Sequence, residues 1–133
     1  MDGKVVICGG AGVDIYSECF SLKIGDTKWM PVGQMEFRRR YPESVVFNGE
    51  MYIMGGYNTN QGWLNSIEKL NGGLMANWNM PRPIFDFCAV QMDDKRIMVL
   101  GRVALKITHF ECLAGLTLKL SLKSKSVESI CPR

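Results

Sequence analysis

The chain has 133 residues, a formal net charge of +3, 47% hydrophobic and 22% charged residues. That length suits about one domain. The balance excludes collagen-like and strongly disordered classes, and the charge is too small to argue for nucleic acid. The longest apolar runs, such as Val5-Val6-Ile7-Cys8, hold four or five residues, against about 20 for a membrane-spanning helix. Met1-Asp2-Gly3 has neither the basic start nor the apolar run of a secretory signal, so a cytoplasmic location is expected.

In chain order, Gly3-Lys4 reads as the end of a turn and Val5–Cys8 as an apolar strand closed by Gly9-Gly10. A strand is expected at Tyr16–Leu22, and Trp29 marks the next. Ser44–Phe47, Asn48-Gly49 and Met51–Met54 spell a hairpin, since Asn-Gly suits the positive φ angles of a type I′ turn. Gly55-Gly56 closes its second strand, Ser66–Leu70 follows, and Trp78 marks a fourth strand. Ala89–Met92, the turn Asp93–Arg96 and Ile97–Leu100 repeat the hairpin, ending at Gly101. The apolar strands do not alternate, which implies burial on both faces.

These marks are periodic. Gly9 to Gly55 is 46 residues and Gly55 to Gly101 is again 46, while Trp29 and Trp78 are 49 apart. Glu18 and Glu68 stand upstream of each Trp, and Met35 and Met80 precede Arg38 and Arg82. Four short antiparallel strands in 46–50 residues is the arithmetic of a β-propeller blade. Trp29 and Trp78 are expected to be buried at matching places, each wedged against a neighbouring unit.

An apolar strand ending in Gly-Gly, a strand with Glu, then Trp, then Met and Arg before the next hairpin, resembles the kelch repeat. Gln34–Asn65 carries the closest match, similar to the kelch domains of kelch-like (BTB–kelch) proteins. The pattern departs at Gly101-Arg102, and at Phe20 and Leu70, where the family usually has Tyr. The resemblance implies an all-β fold, an incomplete propeller of four-stranded antiparallel blades. Residues 1–102 would form one full unit and two partial ones: the first lacks its opening strand, and the third breaks after its second strand. The family's preceding BTB segment is not expected.

Residues 103–133 read as a divergent tail. Residues 1–102 balance eleven Lys/Arg against eleven Asp/Glu, whereas the tail holds five against two and one of the thirteen aromatics, Phe110. Leu116–Lys123 alternates as one amphipathic strand would, and Ser124–Arg133 is expected to be disordered.

The resemblance also implies a protein partner. The structural set is Gly9, Gly10, Gly55, Gly56, Gly101, Trp29, Trp78, Glu18 and Glu68. Partner-binding candidates are Arg38, Arg39 and Tyr41 before the middle hairpin, where Arg suits bidentate capture of acidic groups. For Arg38 and Arg39 a structural role weighs equally, and Arg40 reads as structural. Tyr57, Asn58, Asn60, Gln61 and Trp63 lie on a polar loop that reads as four residues longer than its counterpart after Gly10. Arg82 and Phe85 enter the third unit.

By resemblance the function is the substrate-recognition part of a cullin-based ubiquitin ligase adaptor, with an actin-associated kelch protein as the alternative. Rivals from other classes are a nucleotide-dependent enzyme and a truncated chain without independent function. The enzyme rests on Gly10-x-Gly12, but position 15 is Ile and no helical period follows. No catalytic residue and no cofactor are expected, nor nucleic-acid or membrane binding. Self-association is expected through open faces at Val5–Cys8 and Ile97–Leu100.

The five cysteines are odd in number and no pair is spaced C-x-x-C. No disulfide framework is therefore expected, and Cys8 and Cys88 read as small buried hydrophobes. His109 and Cys112 lack the second ligand pair of a zinc site, so no metal is expected.

Overall fold

The computed structural model describes residues 3–103, 106–113 and 116–121. Among these the regular structure is all strand, β1 to β13. β1 (Lys4–Cys8), β2 (Glu18–Lys23) and β3 (Met30–Gln34) form one antiparallel sheet in that order. β4 (Glu43–Phe47), β5 (Glu50–Met54), β8 (Ser66–Lys69) and β9 (Gly73–Asn79) form the second. β6 (Tyr57–Asn58) and β7 (Gly62–Trp63) make a small hairpin between β5 and β8. β10 (Phe85–Gln91), β11 (Arg96–Val103), β12 (Lys106–Leu113) and β13 (Leu116–Ser121) form the third sheet.

The middle hairpin forms as its turn chemistry dictates. Asn48 and Gly49 have φ of 50° and 81°, the paired positive angles of a type I′ turn. Asn48 also ties this turn to the next unit, its Nδ2 donating to Asp94 O at 2.9 Å while its Oδ1 accepts from Gln91 Nε2 at 2.9 Å.

The third unit does not break after its second strand. β12 pairs along the whole of β11, from Arg96↔Leu113 to Val103↔Lys106, and β13 pairs with β12. The expected alternation coincides with a strand over Leu116–Ser121, its last two residues lying outside the described set, whereas β12 lacks Trp and Gly-Gly punctuation and was invisible for that reason. The expected disorder of Ser124–Arg133 lies outside the described residues.

Two apolar layers join the sheets. Val6, Cys8, Cys19, Val32 and Met35 meet Met51, Ile53 and Leu70 between the first and second. Val45, Phe47, Tyr52, Met54 and Ile67 meet Met80, Ile84, Ile97 and Val99 between the second and third. Ile97 and Val99 are therefore core residues and not part of an open face. Trp78 belongs to this second layer, its ring stacked on Tyr52 at 5.2 Å and edge-on to Phe47 at 6.2 Å.

Backbone hydrogen bonds fix which residues correspond. Gly9 N donates to Glu18 O as Gly55 N does to Ser66 O; Tyr16 N donates to Gly10 O as Leu64 N does to Gly56 O; Met35 N donates to Ser17 O as Met80 N does to Asn65 O. Glu18 thus matches Ser66, and the loop from Gly56 to Leu64 is two residues longer than that from Gly10 to Tyr16, not four. Glu68 matches Phe20, so Glu18 and Glu68 are not equivalent: Glu18 is exposed and Glu68 is buried. Trp29 lies six residues before Met35 and Trp78 two before Met80, so the two Trp are not equivalent either, and Trp29 is exposed. Their near-period spacing is a coincidence of sequence.

Register also overturns the cysteine reading. Antiparallel pairing sets Cys8 opposite Cys19, and the two form a disulfide with Cα atoms 4.1 Å apart. Cys88 is disulfide-bonded as well. Opposite positions on neighbouring strands bring Cβ atoms within bonding reach, whatever their separation along the chain. His109 and Cys112 lie on β12, whose side chains are outside the described set.

Candidate functional site

The registers place one class of connection at one end of all three sheets. β1 ends at Cys8 opposite Cys19, β5 ends at Met54 opposite Glu43, β8 begins at Ser66 opposite Asn79, and β10 begins at Phe85 opposite Arg102. Residues 9–17, 35–42, 55–65 and 80–84 therefore gather at this end. Every partner-binding candidate lies on it. The turns at Asn48-Gly49, Asn71-Gly72 and Asp93–Lys95, with exposed Ile24, lie at the other.

Extended backbone turns successive side chains to opposite sides, and the run Arg38-Arg39-Arg40 shows it. Arg38 is exposed and pairs with Asp14 at 2.6 Å. Arg39 is fully buried. Its Nη2 and Nε donate to Glu68 Oε1 at 2.6 and 3.1 Å, its Nη1 donates to Gly55 O and Ser66 O at 2.8 and 3.1 Å, and Nη2 also donates to Ser66 Oγ at 2.9 Å. The Glu68 carboxylate further accepts from the amides of Glu36 and Phe37 at 2.6 and 3.1 Å. Burial lowers the Arg39 pKa, and the hydrogen bond and charge of Glu68 work against that shift. Arg39 belongs to the structure and leaves the partner-facing set. Its backbone is held by the first sheet, with Arg39 N donating to Tyr16 O and Gly10 N donating to Arg39 O, while its side chain anchors in the second. In the third unit the matching residue is buried Ile84.

Arg40 is the residue that sequence reasoning undervalued. Its guanidinium lies 4.5 Å over the Tyr57 ring and 5.5 Å over the Tyr41 ring, and Tyr57 meets Trp63 edge-on at 5.4 Å. Tyr41, Arg40, Tyr57 and Trp63 form one continuous stack. Arg40 Nε is buried without a hydrogen-bond partner among the described residues, so the guanidinium is held by ring faces. Backbone bonds in both directions between Arg40 and Tyr57, at 3.0 and 2.8 Å, lock the stack to the β6–β7 hairpin. The signal available in sequence was Arg-Tyr, alternating inward and outward, beside a loop bounded by Tyr and Trp.

The remaining candidates divide by exposure. Asn58 turns inward: its Nδ2 donates to Arg38 O at 2.9 Å and its Oδ1 accepts from Asn60 N at 2.8 Å. It shapes the loop and is not presented to a partner. Asn60, Gln61, Trp63 and Arg82 are exposed, Tyr57 is half-buried, and Tyr41 is 71% exposed. Phe85 begins β10, and its side chain is outside the described set. Tyr41 sits at φ 55° and the matching Asp86 at φ 43°, so this left-handed step belongs to the connection itself. It projects residue 41 outward.

The arrangement offers a rigid aromatic ledge flanked by arginine and by polar loop groups, with Tyr16 exposed on the matching first-unit loop. Residues after Gly12 form a loop and then β2, in place of the helix that a dinucleotide fingerprint requires.

Residues 38–71 match the family model described as the Kelch motif. The match runs from Arg38, through the hairpin, Gly55-Gly56 and the β6–β7 loop, to the end of β8 and Asn71. No curated protein matches the chain.

Proposed function

We propose that this chain, which carries a kelch repeat, is a protein–protein interaction module whose sheets are propeller blades and whose loop end receives the partner. The kelch motif itself points to protein interaction and away from enzymes. The observation that carries the site is the Tyr41–Arg40–Tyr57–Trp63 stack. Aromatic and Arg side chains dominate binding hot spots. Here they are preorganised, so little side-chain entropy is lost on binding. Exposed Arg38 and Arg82 favour a partner segment with acidic groups.

The finer reading rests on the resemblance to BTB–kelch proteins: the partner is a substrate held for a cullin-based ubiquitin ligase. The same resemblance supports a cytoplasmic location, and the Cys8–Cys19 disulfide is the observation that weighs against it.

Affinity capture with the full chain, comparing wild type, Trp63→Ser with Tyr41→Ser, and Ile24→Ser at the opposite end, tests the site. The reading expects specific proteins lost with the loop-end variant and kept with Ile24→Ser. Partners indifferent to the loop end would refute it. A cullin-containing assembly among the proteins captured with this chain tests the finer reading.

A further inference from the structure

The loop from Gly9 to Ser17 is closed at its base by a covalent bond. Cys8 ends β1, Cys19 lies directly opposite on β2, and the disulfide between them spans 11 positions of the chain. Residues 8–19 therefore form a ring. Just inside the bond, Gly9 N donates to Glu18 O at 3.0 Å.

This ring carries the next segment, residues 35–39. Met35 N donates to Ser17 O at 2.8 Å, Arg39 N donates to Tyr16 O at 3.1 Å, and Gly10 N donates to Arg39 O at 2.8 Å. Arg38 pairs with Asp14 at 2.6 Å. Gly9 lies so close to the Arg39 carbonyl that a Cβ would strike it. Gly9, Gly10, Asp14, Tyr16 and Ser17 all belong to the ring. Immediately after Arg39, the chain delivers Arg40 and Tyr41 to the aromatic stack. One side of that stack thus rests on the ring, and the other is held by Tyr57 on the β6–β7 hairpin.

A disulfide removes conformations from the opened loop far more than from the closed one. With the bond intact, segment 35–39 lies on a floor of few conformations. With two thiols, the same floor is held by hydrogen bonds alone, and exposed loops so held open locally with small free energies. The ladder between β1 and β2 still sets Cys8 opposite Cys19, so the thiols stay placed to re-form the bond.

We propose that Cys8 and Cys19 are a redox switch of the loop end. Oxidised, the pair holds segment 35–39 and the Arg40–Tyr41 step in place; reduced, it lets them open. The co-reactant is a low-molecular-weight thiol such as glutathione. Cys19 is fully buried, so the thiolate attacks Cys8 Sγ. The Cys8–Cys19 bond breaks, and Cys19 leaves as a thiolate that takes up a proton. A second thiolate attacks the glutathione sulfur of the mixed disulfide, Cys8 leaves and is protonated, and glutathione disulfide departs. Two electrons pass from two glutathiones to the cysteine pair, and oxidation by glutathione disulfide is the reverse. The change in rigidity needs no partner; its use in regulating recognition rests on the loop end being the partner site proposed above.

Limited trypsin cleavage of the full chain tests the switch. Arg38, Arg39 and Arg40 are cleavage points on the segment, whereas Lys95 and Arg96 lie in the third unit. Oxidised wild type should be cut slowly at 38–40. Equilibration with excess glutathione should raise cleavage there by about tenfold or more, with a much smaller rise at Lys95 and Arg96. Reoxidation with glutathione disulfide should restore slow cleavage. Cys8→Ala with Cys19→Ala, which leaves the Cys88 bond intact, should be cut like reduced wild type without any reductant. Circular dichroism verifies strand structure in each sample, and the wild-type comparison decides alone where the double variant loses it. Equal cleavage at 38–40 in both states, acceleration spread evenly over all Lys and Arg sites, or no recovery on reoxidation would each overturn the proposal. Capture with Trp63→Ser and Tyr41→Ser reads the partner site separately, so the two readings fail independently.

Discussion

Replacing Glu68 with Met strikes the tie between the first two units. The carboxylate neutralises a fully buried guanidinium and accepts from the amides of Glu36 and Phe37. Its loss leaves Arg39 charged and unpaired and orphans two amide donors. Breaking a buried pair from one side costs about 3–5 kcal/mol, a large part of an ordinary stability of about 5–15 kcal/mol. For 133 residues the unfolding entropy corresponds to about 0.28 kcal/mol per degree, so Tm should fall by roughly 11–18 °C. Arg39→Met should cost less, because the carboxylate keeps its two amide donors. The double variant should be more stable than Glu68→Met alone, since no buried charge remains; Ile84, at the position matching Arg39, shows that an apolar residue packs there. Thermal unfolding followed by circular dichroism, analysed as a double-mutant cycle, measures the coupling. A Tm loss under about 3 °C for Glu68→Met, or additive single effects, would refute this account of the pair.

Gly9→Ala should destabilise by about 3 kcal/mol, since φ is 69° and a Cβ would strike Arg39 O and the Met35 side chain. Gly10→Ala, whose Cβ would meet open space, should cost about 1–2 kcal/mol from backbone strain alone, and equal losses would contradict the packing. Cys8→Ser with Cys19→Ser should cost about 2–3 kcal/mol in chemical denaturation, as expected for a bond spanning 11 residues. Thiol labelling of the chain taken from cells reports whether the bond forms there. Burial raises the Glu43 carboxyl, the Ser44 amide partly offsetting it, so the folded state holds that proton more tightly than the unfolded chain. Ionised Glu43 therefore destabilises at neutral pH, and the penalty fades as pH falls towards the ordinary carboxyl value. Glu43→Gln should raise Tm slightly at pH 7 and leave it unchanged near about pH 4; a lowered Tm at pH 7 would reverse the sign.

The parts of the fold legible in sequence were those with local causes. Asn48-Gly49 specifies its own turn, and Gly9 and Gly55 have positive φ, which glycine tolerates without a Cβ penalty. The parts that were not legible depend on register. The loop after Gly56 is two residues longer than its counterpart after Gly10 and not the four that would bring Glu68 into phase with Glu18, and a longer connection between β2 and β3, where Ser21 pairs with Met30 while Lys69 pairs with Gly73, sets Trp29 out of step with Trp78 and at the surface. The Cys8–Cys19 bond exists because two strands happen to align. The site was legible as a region, since Arg38, Tyr41 and Trp63 do lie at one exposed end. The inward turn of Arg39 and Asn58, and the central place of Arg40, required knowing which side of an extended segment faces the next sheet.

The claim that one loop end recognises a protein partner is tested most directly by site-specific photo-crosslinking in cells. A photoreactive phenylalanine analogue replaces Tyr41 in one sample and Ile24, at the far end, in another. The account predicts discrete protein adducts from position 41 and none from position 24. Adducts from position 24 alone, or the same adducts from both, would contradict it.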